Sequence, residues 1–218
     1  MTSAREEILS RLATRHREAD EPAVHGSART FDDLSARFTR SLRAAKGEVR
    51  QVEDLAAAWS EVDAILDEVG AEAVVANGEC PIDAMDLSRR WPQRQCHVAG
   101  TDGGDLRAAC VRADVGLSGA DAALAETGTV VVSSGPGRSR LVTLLPPVHV
   151  VMVAASKLTP DLFTWTASRG RGRGLAGRGS MPANIVLVSG PSKTADIEFT
   201  LTLGVHGPGR LVVVLYGE

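Results

Sequence analysis

The chain has 218 residues, 44% of them hydrophobic, and its 24 basic and 27 acidic residues leave a formal net charge of -3. That balance excludes the broad electrostatic field needed to hold nucleic acid or an anionic membrane, so a charged partner must be met locally. The length suffices for a full core, read as an α/β domain over residues 49–218 preceded by a helical segment over residues 1–48.

The opening stretch, MTSAREEILSRLATRHREAD, lacks the apolar core of a signal peptide, and the longest apolar runs elsewhere are strand-sized. A soluble, cytoplasmic protein without a membrane segment is expected. Residues 3–17 place Ile8, Leu9 and Leu12 at helical spacing among charges, with Ser3 as N-cap and Glu6 three residues on. A second helix is predicted over residues 30–45, with Phe31, Leu34, Phe38 and Leu42 on one face and Gly47 as its stop. The short EVRQV reads as a strand. A third helix, residues 53–69, carries Leu55, Trp59, Val62, Ile65 and Leu66 and ends at Gly70.

From there the pattern changes to short apolar runs separated by glycine-rich turns: AEAVVAN, CHVAG, VRADVGLSG, TVVVSSG, VHVVMVAA, NIVLVSG and RLVVVLYG. Valine-rich runs with little alternation predict strands covered on both faces, as in an open, mostly parallel sheet flanked by helices. A helix is predicted over residues 157–167, with Pro160 in its first turn. DIEFTLTL alternates like a half-buried strand, although its acids also suit a helix start. Residues 168–180, SRGRGRGLAGRGS, read as a solvated loop rather than as an RNA-binding tract, because they lack aromatics for base stacking.

Cys80, Cys96 and Cys110 are odd in number and form no C-x-x-C pair, so they read as buried or incidental thiols, and neither a metal site nor a cluster is expected in this chain. No G-x-G-x-x-G opens a helix after a strand, which argues against a flavin or nicotinamide site. The Lys193-Thr194 step has the last two letters of a P-loop, but Ser192 precedes the lysine and Leu187 stands where the first glycine belongs. A Walker-type phosphate cradle is thereby rejected.

In open α/β sheets, ligands sit beyond the carboxyl ends of the strands. Four polar, glycine-rich loops qualify: residues 116–129, 133–140, 189–194 and 204–209. The first holds Gly119, Asp121, Glu126, Thr127 and Gly128. Its carboxylates suit a base, nucleophile or ligand anchor, and equally suit helix capping. Arg138 and Arg140 fit a carboxylate or phosphate through paired guanidinium bonds. Ser189, Ser192, Lys193 and Thr194 offer a second anion contact. His206 lies in an exposed turn, whereas His149 reads as a core histidine with its nitrogens satisfied. Asp121, Glu126 and His206 are the catalytic candidates.

Three blocks, GLSGADAALAETGTVVV, GRSRLVTLLPPVHVVMV and SGPSKTADIEFTLTLGVHGPGRLVVVL, resemble the signature of the LutC/YkgG family of LUD-domain lactate utilization proteins. The resemblance implies a fold similar to the NagB/RpiA/CoA-transferase group. It also implies a role in oxidising L-lactate to pyruvate beside LutA-like and LutB-like partners that carry the iron-sulfur clusters. Asp121, Glu126, Thr127, Arg140, His149, Ser189, Lys193, Thr194, Asp196, Glu198 and His206 fall in the matching blocks. The alternative is a stand-alone enzyme of coenzyme A transferase or phosphosugar isomerase type using Glu126 or Asp121, because AETGT resembles the glutamate turn of the transferases.

Overall fold

Valine-rich segments place β-branched side chains on both faces of an extended chain, and such segments need cover on both sides. A computed structural model describes residues 3–14, 26–170, 182–195 and 201–217. In chain order its elements are α1 (Ala4–Thr14), α2 (Leu34–Ala44), β1 (Glu48–Val52), α3 (Leu55–Glu68), β2 (Ala73–Asn77), α4 (Leu87–Arg90), β3 (Gln95–Ala99), α5 (Leu106–Arg112), β4 (Val115–Ser118), β5 (Ala122–Leu124) and β6 (Thr129–Ser134). They continue with α6 (Arg140–Leu144), β7 (Val148–Ala154), β8 (Leu158–Thr159), α7 (Leu162–Gly170), β9 (Asn184–Val188), β10 (Lys193–Ala195), β11 (Leu201–Leu203) and β12 (Arg210–Tyr216).

Six strands form an open sheet in the order β1-β12-β7-β4-β2-β3, parallel at every ladder. Alternate residues of β7 and β12 enter opposite layers, as the period of a strand requires. Val150, Met152, Val212 and Val214 pack with Trp59, Val62, Ile65 and Leu66 of α3. Val151, Val153, Leu211, Val213 and Leu215 pack with Phe38 and Leu42 of α2 and with Val130 and Val132 of β6. The α/β class and the open parallel sheet expected from the sequence are therefore present.

A second sheet, β8-β5-β6-β9, lies over that latter face, with β6 antiparallel to both β5 and β9. TVVVSSG and NIVLVSG thus belong to this layer rather than to the parallel sheet. Its outer side is closed by Trp165 of α7 against Ala122, Leu124 and Val131. β9 alternates between half-buried and exposed residues, because it is an edge strand and not a doubly covered one.

Aspartates start five of the described helices, four of them with the same geometry and α7 as given below. The carboxylates of Asp33, Asp54, Asp86 and Asp105 accept from backbone N–H groups three residues on, at 2.7 to 3.1 Å, satisfying donors that no turn of helix reaches. For that reason α2 begins at Leu34 and not at residue 30, which leaves Phe31 outside it beneath the Arg37 guanidinium, 5.2 Å from the ring centre. Its left-handed stop falls on Lys46 (φ 72), one residue before the glycine expected. The capping box of α1 is as predicted, Ser3 Oγ accepting from Glu6 N and Glu6 Oε2 from Ser3 N, and Ile8, Leu9 and Leu12 are exposed.

Near the other end of the chain, α7 begins at Leu162, after Pro160, because Asp161 Oδ1 takes the N–H of Thr164 at 2.7 Å. Leu158 sits in β8 instead. α7 extends to Gly170, so the first residues of the predicted loop 168–180 are helical, while the rest lie outside the described residues. The strand predicted in DIEFTLTL is present at β11, which pairs antiparallel with β10. Asp196 and Glu198 lie outside the described residues.

Candidate functional site

The parallel sheet reverses its direction of growth at β2. The chain passes outward from β2 to β3, then returns to lay β4 against the other side of β2. Such a switch point is where the ligand crevice of an open α/β sheet lies, and here the residues leaving β2 and β4 meet across it, Gly119 N donating to Glu79 Oε1 at 3.1 Å.

Three charged side chains meet there. Glu79 lies two residues beyond the end of β2, Asp121 three beyond the end of β4, and Arg138 comes from the turn after β6. Arg138 Nη1 is 3.3 Å from Asp121 Oδ1 and 3.8 Å from Glu79 Oε2. Exposure of the three side chains runs from 12% for Glu79 to 30% for Arg138, so the cluster is recessed but reachable. Glu79 Oε1 also accepts from Gly119 N at 3.1 Å and from Asn77 Nδ2 at 3.3 Å. Lys157 closes the same edge, its Nζ donating to the carbonyl of Ala120 at 2.7 Å.

The turn that presents Arg138 follows from its sequence. In Gly135-Pro136-Gly137-Arg138 the end residues exchange backbone bonds of 2.9 and 3.0 Å, and Gly137 takes φ 68. Proline second and a left-handed glycine third define a type II turn. Gly137 O accepts from Gly78 N at 2.8 Å, which docks the turn on the end of β2. Asn77 fixes the next residue, its Oδ1 accepting from Ser139 N at 2.9 Å.

The electrostatics of the three groups differ. Burial raises the carboxyl of Glu79 above the ordinary glutamate range, opposed by the Asn77 bond and by the Arg138 charge. Asp121 Oδ2 is buried and has no partner among the described residues. A buried acceptor without a donor is costly, and a ligand hydroxyl meets that need. The arrangement thus offers a cation for a carboxylate, a free acceptor for a hydroxyl, and a second carboxyl inclined to hold a proton. Replacing Arg138 by Met removes the opposing charge, so the Glu79 carboxyl, followed by carbon NMR across a pH titration, is expected to titrate higher still. A midpoint that falls or stays put contradicts this account of the cluster.

The other candidates fall in two further places. Glu126, Thr127 and Gly128 form the tip of the β5–β6 hairpin, at the far end of β5 from Asp121. Glu126 pairs with Arg29, and its carbonyl accepts from Arg37 and Ser41 of the α2 face. Thr127 Oγ1 bonds Thr129 Oγ1, which in turn bonds Ser189 Oγ, each at 2.6 Å. Lys193 donates to the carbonyl of Ala45 at the end of α2, a position where a cation complements the helix dipole. Thr194 follows it in β10. Ser189, Ser192 and His206 line a cleft between the sheets, with His149 of β7 in its wall. Arg140 is exposed at the first position of α6. Of the sequence candidates among the described residues, Gly119, Asp121 and Arg138 share the crevice.

Glu79 and Asn77 lie outside the four glycine-rich loops to which the sequence points. Their signal is the polar Asn77 that ends an apolar strand, with a glutamate two residues later. His149 departs from expectation in part. Its Nε2 is 2.9 Å from Ser118 Oγ, but its Nδ1 has no partner among the described residues. The three cysteines lie on separate segments, and among the described residues no group of three or more metal-ligating side chains is assembled.

The family model described as LUD domain matches residues 35–216. Lactate utilization protein C of Halalkalibacterium halodurans is 36% identical over 155 residues, covering 71% of this chain and 66% of that protein. Lactate utilization protein C of Exiguobacterium sp. is 44% identical over 109 residues, covering 50% and 46%. The uncharacterized protein YkgG of Escherichia coli is 32% identical over 151 residues, covering 68% and 64%. The matches span less than two thirds of these relatives' own lengths. A crystal structure of a DUF162 family protein from Deinococcus radiodurans has the same fold, with a TM-score of 0.56 at 18% identity, over 84% of this chain and 96% of that one.

Proposed function

This chain belongs to the LUD-domain family of LutC/YkgG proteins, and on that premise we propose that it serves lactate utilization by binding a small 2-hydroxy or 2-oxo carboxylate in the crevice at β2 and β4. The observation that carries the reading is the Arg138 guanidinium set beside a free oxygen of Asp121. The guanidinium receives the carboxylate, as its fork of donors suits. The free Asp121 oxygen accepts the hydroxyl, and Glu79 stands ready to give or take a proton. Oxidation of L-lactate to pyruvate also requires an electron acceptor. In this proposal that part belongs to LutA-like and LutB-like iron-sulfur partners, since among the described residues no group of three or more metal-ligating side chains is assembled. Among the described residues no helix is long and apolar enough to cross a membrane.

Deleting the chain is expected to abolish growth on L-lactate, and pull-down from lactate-grown cells should recover proteins with iron-sulfur absorbance. Arg138→Met should fail to restore growth and should weaken carboxylate binding at least about tenfold, because a hydrogen bond to a charged group contributes roughly 1.5–3 kcal/mol and each 1.4 kcal/mol is tenfold. The partly exposed pair stabilises the fold by at most ~1 kcal/mol, so melting should move by only about 2–4 °C. Unchanged growth after deletion would sink the proposal. The raised Glu79 carboxyl beside Asp121 favours one other reading, an isolated enzyme of coenzyme A transferase or phosphosugar isomerase type. Turnover of acyl-CoA thioesters or sugar phosphates by the purified chain decides for it.

A further inference from the structure

We infer that the cleft between the two sheets is a second binding site, taking a small, uncharged, largely apolar molecule that presents one hydroxyl to Nδ1 of His149. The cleft has a volume of about 230 Å³ and is walled by Leu144, Val186, Val188, Pro208 and Leu211. An apolar cavity of roughly 150 Å³ admits benzene, so this space suits a substituted six-membered ring or a branched chain of similar bulk. No lysine, arginine, aspartate or glutamate lines it. It is therefore distinct in chemistry from the crevice of Glu79, Asp121 and Arg138.

The polar requirement comes from His149. Its side chain is wholly buried, and burial alone keeps the ring neutral. Nε2 is engaged with Ser118 Oγ, while Nδ1 is bonded to nothing among the described residues. The hydroxyls around the cleft are already engaged: Thr143 Oγ1 donates to the Arg140 carbonyl, Ser189 Oγ bonds Thr129, and Ser192 Oγ accepts from His206 N. Among the side chains that line the cleft, Nδ1 of His149 is the buried polar atom without a partner among the described residues. Whether it donates or accepts depends on which partner of the His149–Ser118 bond holds the proton, and a hydroxyl serves either case because it does both. His206 also lines the cleft but is exposed, so a carboxylate or ammonium lodged against His149 would meet a neutral ring and apolar walls, with its desolvation uncompensated.

The walls give a second, independent reason. Leu144 is 37% exposed and lines this cleft, and covering such a side chain is favourable. A hydroxylated apolar ligand satisfies the leucine and the imidazole together.

Phenol, toluene and benzoate serve as matched probes on the intact chain. Ring ¹⁵N NMR of His149 follows the site directly, and titration calorimetry gives affinities. Phenol is expected to shift Nδ1 and to bind at least tenfold more tightly than either toluene, which leaves Nδ1 unpaired, or benzoate, which brings a charge. Val186→Trp, which fills the cleft from a half-buried strand position, should abolish the phenol shift. The inference is overturned if phenol leaves the His149 resonances unmoved, if benzoate matches phenol, or if the tryptophan variant binds phenol as well as wild type does. The wild-type NMR result stands whether or not that variant folds.

Discussion

Gly128→Ala is expected to lower the melting temperature by roughly 5–20 °C, the largest effect of any single methyl group added at the sites discussed here. Gly128 has φ 66, and a Cβ there would lie 2.2 Å from the backbone nitrogen of Leu42 and 2.5 Å from its Cα. An alanine in the left-handed region costs about 1–2 kcal/mol, and forcing extra volume into packed structure adds about 1–3 kcal/mol. At roughly 2–4 °C per kcal/mol for a chain of this size, the temperature range follows. Two other glycines separate the causes. Gly70 has φ 62 with open space at its Cβ, so Gly70→Ala carries the backbone cost alone. Gly103 has neither constraint, and Gly103→Ala should stay within about 0.5 kcal/mol of wild type. Calorimetric melts of the three variants check the order. Equal losses at Gly128 and Gly70 would mean that α2 yields to the hairpin tip.

Acidification should destabilise the protein through His149, at a slope of about 1.4 kcal/mol per pH unit. Burial lowers this histidine from 6.5 to about 3. Between those values the unfolded chain binds a proton that the folded chain refuses, so the unfolded state gains as pH falls. The contribution is complete above 6.5 and is lost progressively towards 3. Glu79 acts in the opposite sense, since its carboxyl is raised in the fold and protonation relieves its buried charge. His149→Phe keeps a ring in place and removes one titration. Comparing urea unfolding of wild type and His149→Phe from pH 7 downward cancels the Glu79 contribution common to both. Wild type should lose about 2 kcal/mol more than the variant on reaching pH 5, by the same one-proton slope acting below 6.5. Parallel curves would show that the folded ring takes its proton at the ordinary pH. Because Ser118 is left unpaired in the variant, the slope carries the result and the absolute stability does not.

Much of this architecture is legible from residue order because the parallel strands state their burial plainly. In VHVVMVA and RLVVVLY nearly every side chain is buried, and no helix of that length would hide all its faces. β5 is harder to read. Its Ala122-Ala123-Leu124 has strong helical preference, and only the flanking strands β6 and β8 make it extended. Both alanines are almost wholly buried, Ala123 between the two sheets and Ala122 on the outer side beneath Trp165. The same strand explains why Asp121 and Glu126 do not meet. Five positions apart in sequence, they stand at opposite ends of β5, separated by on the order of 10 Å at the rise of an extended chain. Glu79 escaped notice because it owes its charge state to burial under Arg138 and Gly119, neither of which is near it in sequence.

The strand order also fixes the sequence of events during synthesis. β1 is joined to the parallel sheet only through β12, with Glu48 set against Val212 and Val52 against Tyr216. Every other strand of that sheet leaves the ribosome between the two. β1, and the face of α2 that rests beside it, therefore wait unpaired while β2, β3, β4 and β7 assemble. Glu48 and Arg210, joined by two bonds of 2.7 and 2.8 Å, come together only at the last strand. Long-range pairing of this kind is slow and leaves apolar strands open in the interval. Until β12 pairs with it, β1 has no partner in the parallel sheet, and closing that edge requires the contact of longest range in the sheet.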